Sequence, residues 1–398
     1  MPKTLFDLLT ALARPQIAGT HGDLTVPITA PVVESDVDVE PGGLFVARRG
    51  LAVDGHDFIP AAIERGAAAI VGEHDLRDLP VPYIRVKDAQ EATGWLSAAY
   101  HDFPARRLIV IGVTGTDGKT TTSILVHSML QQATGKAGLI STVNADLGDA
   151  VADTGLHVTT PSAPQVQALL ARMVTNGLTY AVIEMTSHGL AQGRLNGVDV
   201  DVAILTNIRH EHLDFHGSFE NYRAAKGRLF QMLAKSHRKN KQPKISVINT
   251  DDPNGDSFAE FAADRVIRYG LTENAEYRAV DINYTPEGTT FRVEYPDDFV
   301  FGTTKSDTEF FTPLLGVFNV YNALAAVETC IALPVSIRAI TEGLRQVEVI
   351  SGRMERIDEG QEFTAIVDFA HTPNALENAL TTCRQMLPEG KKLIAVFG

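Results

Sequence analysis

The chain has 398 residues, 44% hydrophobic and 21% charged, and 35 Lys and Arg against 49 Asp and Glu give it a net charge of −14. That length exceeds a usual single core and points to two or three domains, while the acidic balance argues against a broad nucleic-acid footprint. No run approaches the roughly 18 apolar residues of a membrane span, and "MPKTLFDLLTALARPQIAG" has no apolar stretch behind a basic start, so a soluble cytoplasmic protein is expected. Cys330 and Cys383 sit in helix-like segments without metal-type spacing and read as free thiols.

Residues 1–104 carry short apolar runs divided by turn signals, "VEPGGLFVARRG" and "AAIERGAAAIVGE", which suggest a small α/β domain. Over 105–345 the β-branched runs "RLIVIGV", "YAVIEM", "VAILTNI" and "KISVINTDD" alternate with helical patterns, the signature of a parallel sheet in βαβ units. The charge run "KSHRKNKQPK" at 235–244 reads as a solvated loop. In 346–398 a strand pattern "FTAIVDFA", a helix "NALENALTTCRQML" and a further strand-like run "KKLIAVFG" follow one another. So few elements bury little core, and this third domain is expected to be incomplete.

The stretch "IGVTGTDGKTTTS", residues 111–123, places a glycine-rich turn between an apolar strand and a helix that opens on Lys and Thr. This is a phosphate loop: glycines let backbone N–H groups converge on phosphate oxygens, Lys119 adds charge, and Thr120 offers a hydroxyl to Mg²⁺. Its spacing, G-x-x-G-x-x-G-K-T-T from Gly112, is a variant. Farther on, a helix starting after Ser218 sets Tyr222, Lys226, Leu229, Phe230 and Leu233 on one face, so a lysine lies on an apolar stripe. Burial lowers the pKa of an ammonium and leaves a neutral amine; a snorkelling lysine is the rival reading.

The loop wording, with "HVTTPSA" (157–163), "EMTSHGLAQGR" (184–194), "LTNIRHEHLDFHG" (205–217), "YRAAKGRLF" (222–230), "GVFNVYNALAA" (316–326), "SGRME" (351–355) and "VDFAHTPNAL" (367–376), resembles the Mur ligases, the ATP-dependent amide ligases of peptidoglycan synthesis. "TTP", "SHGLAQGR" and "HLDFHG" favour the branch that adds a diamino acid, meso-diaminopimelate or L-lysine, to UDP-MurNAc-L-Ala-D-Glu. The resemblance implies an α/β, three-domain architecture: an N-terminal UDP-binding domain, a central phosphate-loop ATPase domain with a parallel sheet, and an incomplete C-terminal Rossmann-like domain. It implies ATP and two Mg²⁺ ions as cofactors, the UDP-sugar dipeptide and a diamino acid as partners, a monomer, and no nucleic acid or membrane span.

The same resemblance assigns residues. Gly112, Thr114, Gly115, Thr116, Asp117, Gly118, Lys119, Thr120 and Thr121 would bind ATP, with Asn319 and Asn322 at adenine and Arg353, Asp368 and His371 nearby. Thr120, Glu184, His212 and Lys226, the last as a carbamate, would hold metal; Lys119, Lys226, Glu184 and His212 form the catalytic set. Ser35, Thr159, Thr160, Ser187, Gln192 and Arg194 would contact the UDP-sugar. Departures are Glu34 and Asp36 around Ser35 in place of Asp and Arg, Asp117 in place of Asn, and "IRHEH" in place of "LSRDH". With its third domain incomplete, this form would ligate poorly. A truncated, non-catalytic nucleotide or UDP-sugar binder and another ligase of the superfamily, of the folylpolyglutamate or cyanophycin type, stand as alternatives.

Overall fold

The computed structural model describes residues 3–13, 16–50, 53–152, 160–285, 287–296, 308–387 and 390–397. It forms two compact units: Met1–Leu108, Thr160–Gly177 and His188–Asp199 make the first, and Ile109–Thr159, Leu178–Ser187 and Val200–Gly398 the second. Among the described residues no helix is long and apolar enough to cross a membrane.

The first unit opens with α1 (Leu5–Leu9), started by a capping box in which the Thr4 hydroxyl accepts the Asp7 N–H while the Asp7 carboxylate accepts the Thr4 N–H. Its sheet contains β1 (Ile17–His21), β2 (Val32–Val33), β3 (Leu44–Val46), β4 (Ala69–Gly72) and β5 (Tyr83–Val86), in the order β1-β5-β4-β3-β2. Only the β1–β5 pair is antiparallel. Strand alternation divides the core: Leu44, Val46, Val71 and Ile84 face α1 and α3 (Ala89–Tyr100), while Phe45, Ile70 and Tyr83 face α2 (Ile59–Glu64). His56, with Asp54 and His74, makes the one described group spaced closely enough to hold a metal. Its ring is already engaged on both sides, however, with Nδ1 2.5 Å from Asp54 Oδ1 and Nε2 accepting the Glu73 N–H at 2.8 Å, so we read it as structural.

The second unit is built on a sheet of eleven strands among the described residues. A parallel run holds β6 (Ile109–Thr114), β7 (Ala137–Ile140), β8 (Tyr180–Glu184), β9 (Val202–Leu205), β10 (Ile245–Asn249), β11 (Arg265–Gly270) and β12 (Tyr277–Thr285), ordered β7-β8-β6-β9-β10-β11-β12. The expectation of a parallel sheet needs correction at both edges. β13 (Gly288–Glu294) and β14 (Glu309–Thr312) extend one side antiparallel, and Ala145–Asp146 with Val151–Ala152 the other. Thr285 pairs with Gly288, a link far too short for the crossover that parallel neighbours need.

Helix α4 (Lys119–Thr134) runs between two left-handed glycines, Gly118 and Gly135. Helix α5 (Phe219–Lys235) starts, as expected, at Ser218, whose hydroxyl accepts the Asn221 N–H. Helices α6 (Val317–Ala332) and α7 (Ile337–Gln346) follow β14. The last described elements are the hairpin β15 (Glu355–Ile357) with β16 (Ala365–Val367) and α8 (Pro373–Met386).

Two further expectations fail. Residues 391–397 form no strand: no described strand pairs with them, and Ile394, Val396 and Phe397 lie exposed. The charge run is not simply solvated either. Lys244 is buried, its Nζ donating to Val200 O at 2.6 Å and lying 3.1 Å from Asp201 Oδ1, and Lys239 pairs with the same carboxylate. Asp201 is fully buried, and the two lysines offset a charge that would be costly unpaired. Cys330 and Cys383 are free thiols, as read.

Candidate active site

Register brings the site together. β6 pairs with β8 at Val113↔Glu184 and with β9 at Thr114↔Leu205, so Glu184 and Thr206 leave their strands beside the loop that follows Thr114. This is the carboxyl end of a parallel sheet, where open α/β folds place ligands. A Cβ on Gly115 (φ +153°) would lie 1.8 Å from Thr206 Oγ1, and one on Gly118 (φ +81°) 2.2 Å from Asn322 Oδ1, so both positions exclude any side chain.

The loop is braced from β9 and the segment after it. Thr116 N–H donates to Asn207 O at 2.8 Å, Asp117 N–H to Asn207 Oδ1 at 2.9 Å, and Thr206 Oγ1 to Asp117 O at 2.6 Å. Lys119 Nζ folds onto Thr116 O at 2.7 Å. Gly112 and Thr114 lie below the loop, inside β6. Gly112 makes room for Leu229 and Met185, and the buried Thr114 hydroxyl donates to Met185 O at 2.8 Å.

Glu184 is buried, and its Oε2 gathers three donors: Thr120 Oγ1 at 3.0 Å, Thr142 Oγ1 at 2.9 Å and the Thr142 N–H at 3.1 Å. Thr142 is a neighbour that motif reading missed. Lys226, 1% exposed, donates from Nζ to Gly115 O at 2.5 Å and lies 4.6 Å from the centre of the Tyr222 ring. Burial first, then the charge of Lys119, hold its ammonium well below the ordinary range, against the pull of Glu211, Asp117 and Glu184. His212 adopts the left-handed backbone (φ +52°) before the short helix Leu213–His216, its Nε2 3.7 Å from Glu211 Oε1. Burial lowers its pKa, Glu211 opposes this, and the nearby Lys226 and Lys119 lower it further.

Beside the loop opens a cavity of about 260 Å³, lined in part by Asp117, Gly118, Thr120, Thr121, Asn319 and Asn322. Asn319 and Asn322 stand on one face of α6, joined by a 3.0 Å bond from Asn322 Nδ2 to Asn319 Oδ1. Asn319 does not cap the helix, since Gly316 holds that position and the Asn319 amide donates to Leu315 O. Arg353 and Asp368 reach the same cavity. Arg353 Nη2 lies 3.5 Å from Thr120 Oγ1, and Asp368 accepts the Met354 and Ala370 N–H groups at 2.7 and 2.8 Å. His371 is exposed, with its Nε2 3.2 Å from Glu211 Oε1. Sequence reading also missed Asn207, Arg209, Asp251, Asp252 and Tyr321 in this lining. The run "NTDD" at the end of β10 was the available signal, because strand ends on this edge of the sheet face the ligand side.

In the first unit, Arg194 Nη1 donates to the buried Thr160 carbonyl at 2.7 Å, and Gly189 packs against the Thr160 side chain. Ser35 is half-buried after β2, and Gln192 lies two residues before Arg194. Ser187 is buried and belongs to the second unit, and Thr159 lies outside the described residues.

Three family descriptions match the chain: "Mur ligase family, catalytic domain" at residues 37–101, "Mur ligase middle domain" at 113–330, and "Mur ligase, glutamate ligase domain" at 352–398. The UDP-N-acetylmuramoyl-L-alanyl-D-glutamate–2,6-diaminopimelate ligase of Geobacillus thermodenitrificans is 43% identical over 347 residues, 87% of this chain and 68% of that protein. The UDP-N-acetylmuramyl-tripeptide synthetase of a Roseiflexus species is 43% identical over 404 residues, 99% of this chain and 76% of the relative. A solved structure of a UDP-N-acetylmuramoyl-L-alanyl-D-glutamate–2,6-diaminopimelate ligase superposes with a TM-score of 0.79 at 28% identity, covering 98% of this chain and 75% of that one. With its phosphate loop, the carboxylate and imidazole beside it, and this likeness along almost its whole length, the chain belongs to the Mur ligase family.

Proposed function

We propose that this chain is an ATP-dependent amide ligase of peptidoglycan synthesis that joins 2,6-diaminopimelate to the D-glutamate carboxylate of UDP-N-acetylmuramoyl-L-alanyl-D-glutamate. The names of its relatives support that substrate pair. The observation that carries the chemistry is the meeting of Thr120 and Glu184, 3.0 Å apart, at the foot of the loop that presents Lys119.

The reaction must activate a carboxylate in water. The D-glutamate carboxylate takes the γ-phosphoryl group of ATP as ADP departs, the amine attacks the resulting acyl phosphate and gives up a proton, and inorganic phosphate leaves as the amide forms. Loop amides and Lys119 hold the phosphates, and Arg353 stands within reach of the same point. Asn319 and Asn322 are assigned to adenine and Asp368 to the ribose, with Ser35, Thr160, Ser187, Gln192 and Arg194 on the UDP-sugar side.

The Thr120 hydroxyl and the Glu184 carboxylate share one point and offer the oxygen ligands that Mg²⁺ prefers, and a second ion would take the two oxygens of a Lys226 carbamate with the His212 imidazole nitrogen. When bound, such ions neutralise the charge gathered on the phosphates. Lys226 contributes as a carbamate. Its buried neutral amine takes up CO₂ with release of a proton, gains two oxygens, and keeps one N–H for Gly115 O.

The test is phosphate release from ATP by the purified chain. It should require both the UDP-sugar dipeptide and diaminopimelate; release that is unchanged when either is omitted overturns the reading.

A further inference from the structure

The first unit sets one guanidinium against a carboxylate, with a second guanidinium near enough to feel both charges. Val33 pairs with Phe45 in parallel register, so Glu34 and Ser35 leave β2 on the same edge from which Arg48 leaves the end of β3. Arg48 Nε lies 3.1 Å from Glu34 Oε2, with the arginine side chain 35% exposed and the glutamate 16%. Arg194 joins them: its guanidinium lies below its ordinary pKa range, first through burial and then through the charge of Arg48, with Glu34 opposing. The bond from Arg194 Nη1 to Thr160 O at 2.7 Å fixes the plane of its fork. Asp36 adds nothing to the balance, because it is tied to Arg65.

An ordinary structural ion pair needs one arginine. Here a second, partly desolvated one lies near enough to feel the first, so among the described residues two guanidiniums and one carboxylate act on one another. Like charges brought together at strand ends are what a doubly anionic ligand neutralises, and a guanidinium fork matches phosphate oxygens in pairs. We infer that Arg48 is a substrate-binding residue that clamps, together with Arg194, the diphosphate of a nucleoside-diphosphate sugar, with Glu34 as its counter-ion in the free protein. This rests on the reading of the first unit as the UDP-sugar-binding part, and it adds to that reading a residue that motif comparison did not assign.

Calorimetric titration of the full chain with UDP and with uridine tests it. Arg48→Ala should weaken UDP binding about 30-fold, the worth of one charge-assisted contact, and leave uridine binding unchanged. Arg48→Lys, which keeps charge without the fork, should weaken it about fivefold. If the alanine variant fails to fold, as judged by its melting curve, the double variant Glu34→Gln/Arg48→Gln removes both charges together and should show the same loss for UDP alone. UDP affinity equal to that of the parent chain in these variants overturns the role of Arg48 while leaving the UDP-sugar reading intact. A parent chain that binds neither UDP nor uridine overturns both.

Discussion

Two regions of the second unit meet at the cavity and are built differently. Around the phosphate loop nearly every polar group is braced: Glu184 and Lys226 are 2% and 1% exposed, and Asn207 holds two loop N–H groups in place. The segment from Gly352 to Phe397 contributes Arg353 and Asp368 from short strands and bends, and Phe369 and His371 within it are 62% and 61% exposed. A site that must collect phosphate charge is preorganised where the sheet supplies fixed strand ends, and is completed from a region held by few contacts. Under the proposed function, the first region sets whether chemistry occurs, and the second tunes nucleotide binding.

The largest expected effect breaks the first region. Lys226→Ala should lower kcat about 1000-fold, on the scale of losing a preorganised charged group, and short carboxylates or bicarbonate should restore part of the rate through the cavity left behind. Isotope-labelled bicarbonate should give a carbamate signal in the parent chain and none in the variant; full activity in the variant removes the carbamate.

A smaller effect is expected from the second region. Arg353→Ala should raise KM for ATP about tenfold with kcat changed less, because the guanidinium touches the loop only at 3.5 Å, and His371→Ala should cost about threefold. A kcat loss in Arg353→Ala as deep as that of Lys226→Ala would erase the distinction between the regions.

The smallest effect concerns stability. Glu328 is buried on α6, the helix that carries Asn319 and Asn322, and burial raises its carboxyl to about 8 from an ordinary 4.5, against the pull of Arg265. A raised carboxyl stabilises the fold while it is protonated, so the contribution is whole below pH 4.5 and fades as pH rises through 8. Tm should fall over that interval, and Glu328→Gln should flatten the decline. An identical pH profile in the variant would show that Glu328 does not couple.

Local chemistry made much of this legible in the sequence. The β6–loop–α4 arrangement, the Ser218 cap and the buried face of Tyr222, Lys226, Leu229, Phe230 and Leu233 follow from glycine placement and 3.6-residue spacing, and they stand in the structure as read. What spacing could not show depends on partners distant in the chain. Thr142 lies 42 residues before the Glu184 that it supports, and Lys244 looks solvated until Asp201 is placed beside it. Gly112 illustrates the converse: a glycine of the motif lies inside a strand, where it makes room for Leu229 and Met185. Antiparallel edges and the missing strand at 391–397 likewise turn on pairing, which apolar runs do not encode.

The amino-terminal unit also takes in Thr160–Gly177 and His188–Asp199, which lie beyond the first strands of its neighbour. Gln167 reaches Asn196 O at 3.2 Å and Arg106 meets Asp199 at 2.9 Å, so these late pieces are part of its framework. During synthesis, then, this unit has its sheet and cores early but is complete only once Asp199 has emerged from the ribosome. Translation order and spatial order part company here, since the last pieces of the amino-terminal unit are made after the first central strands.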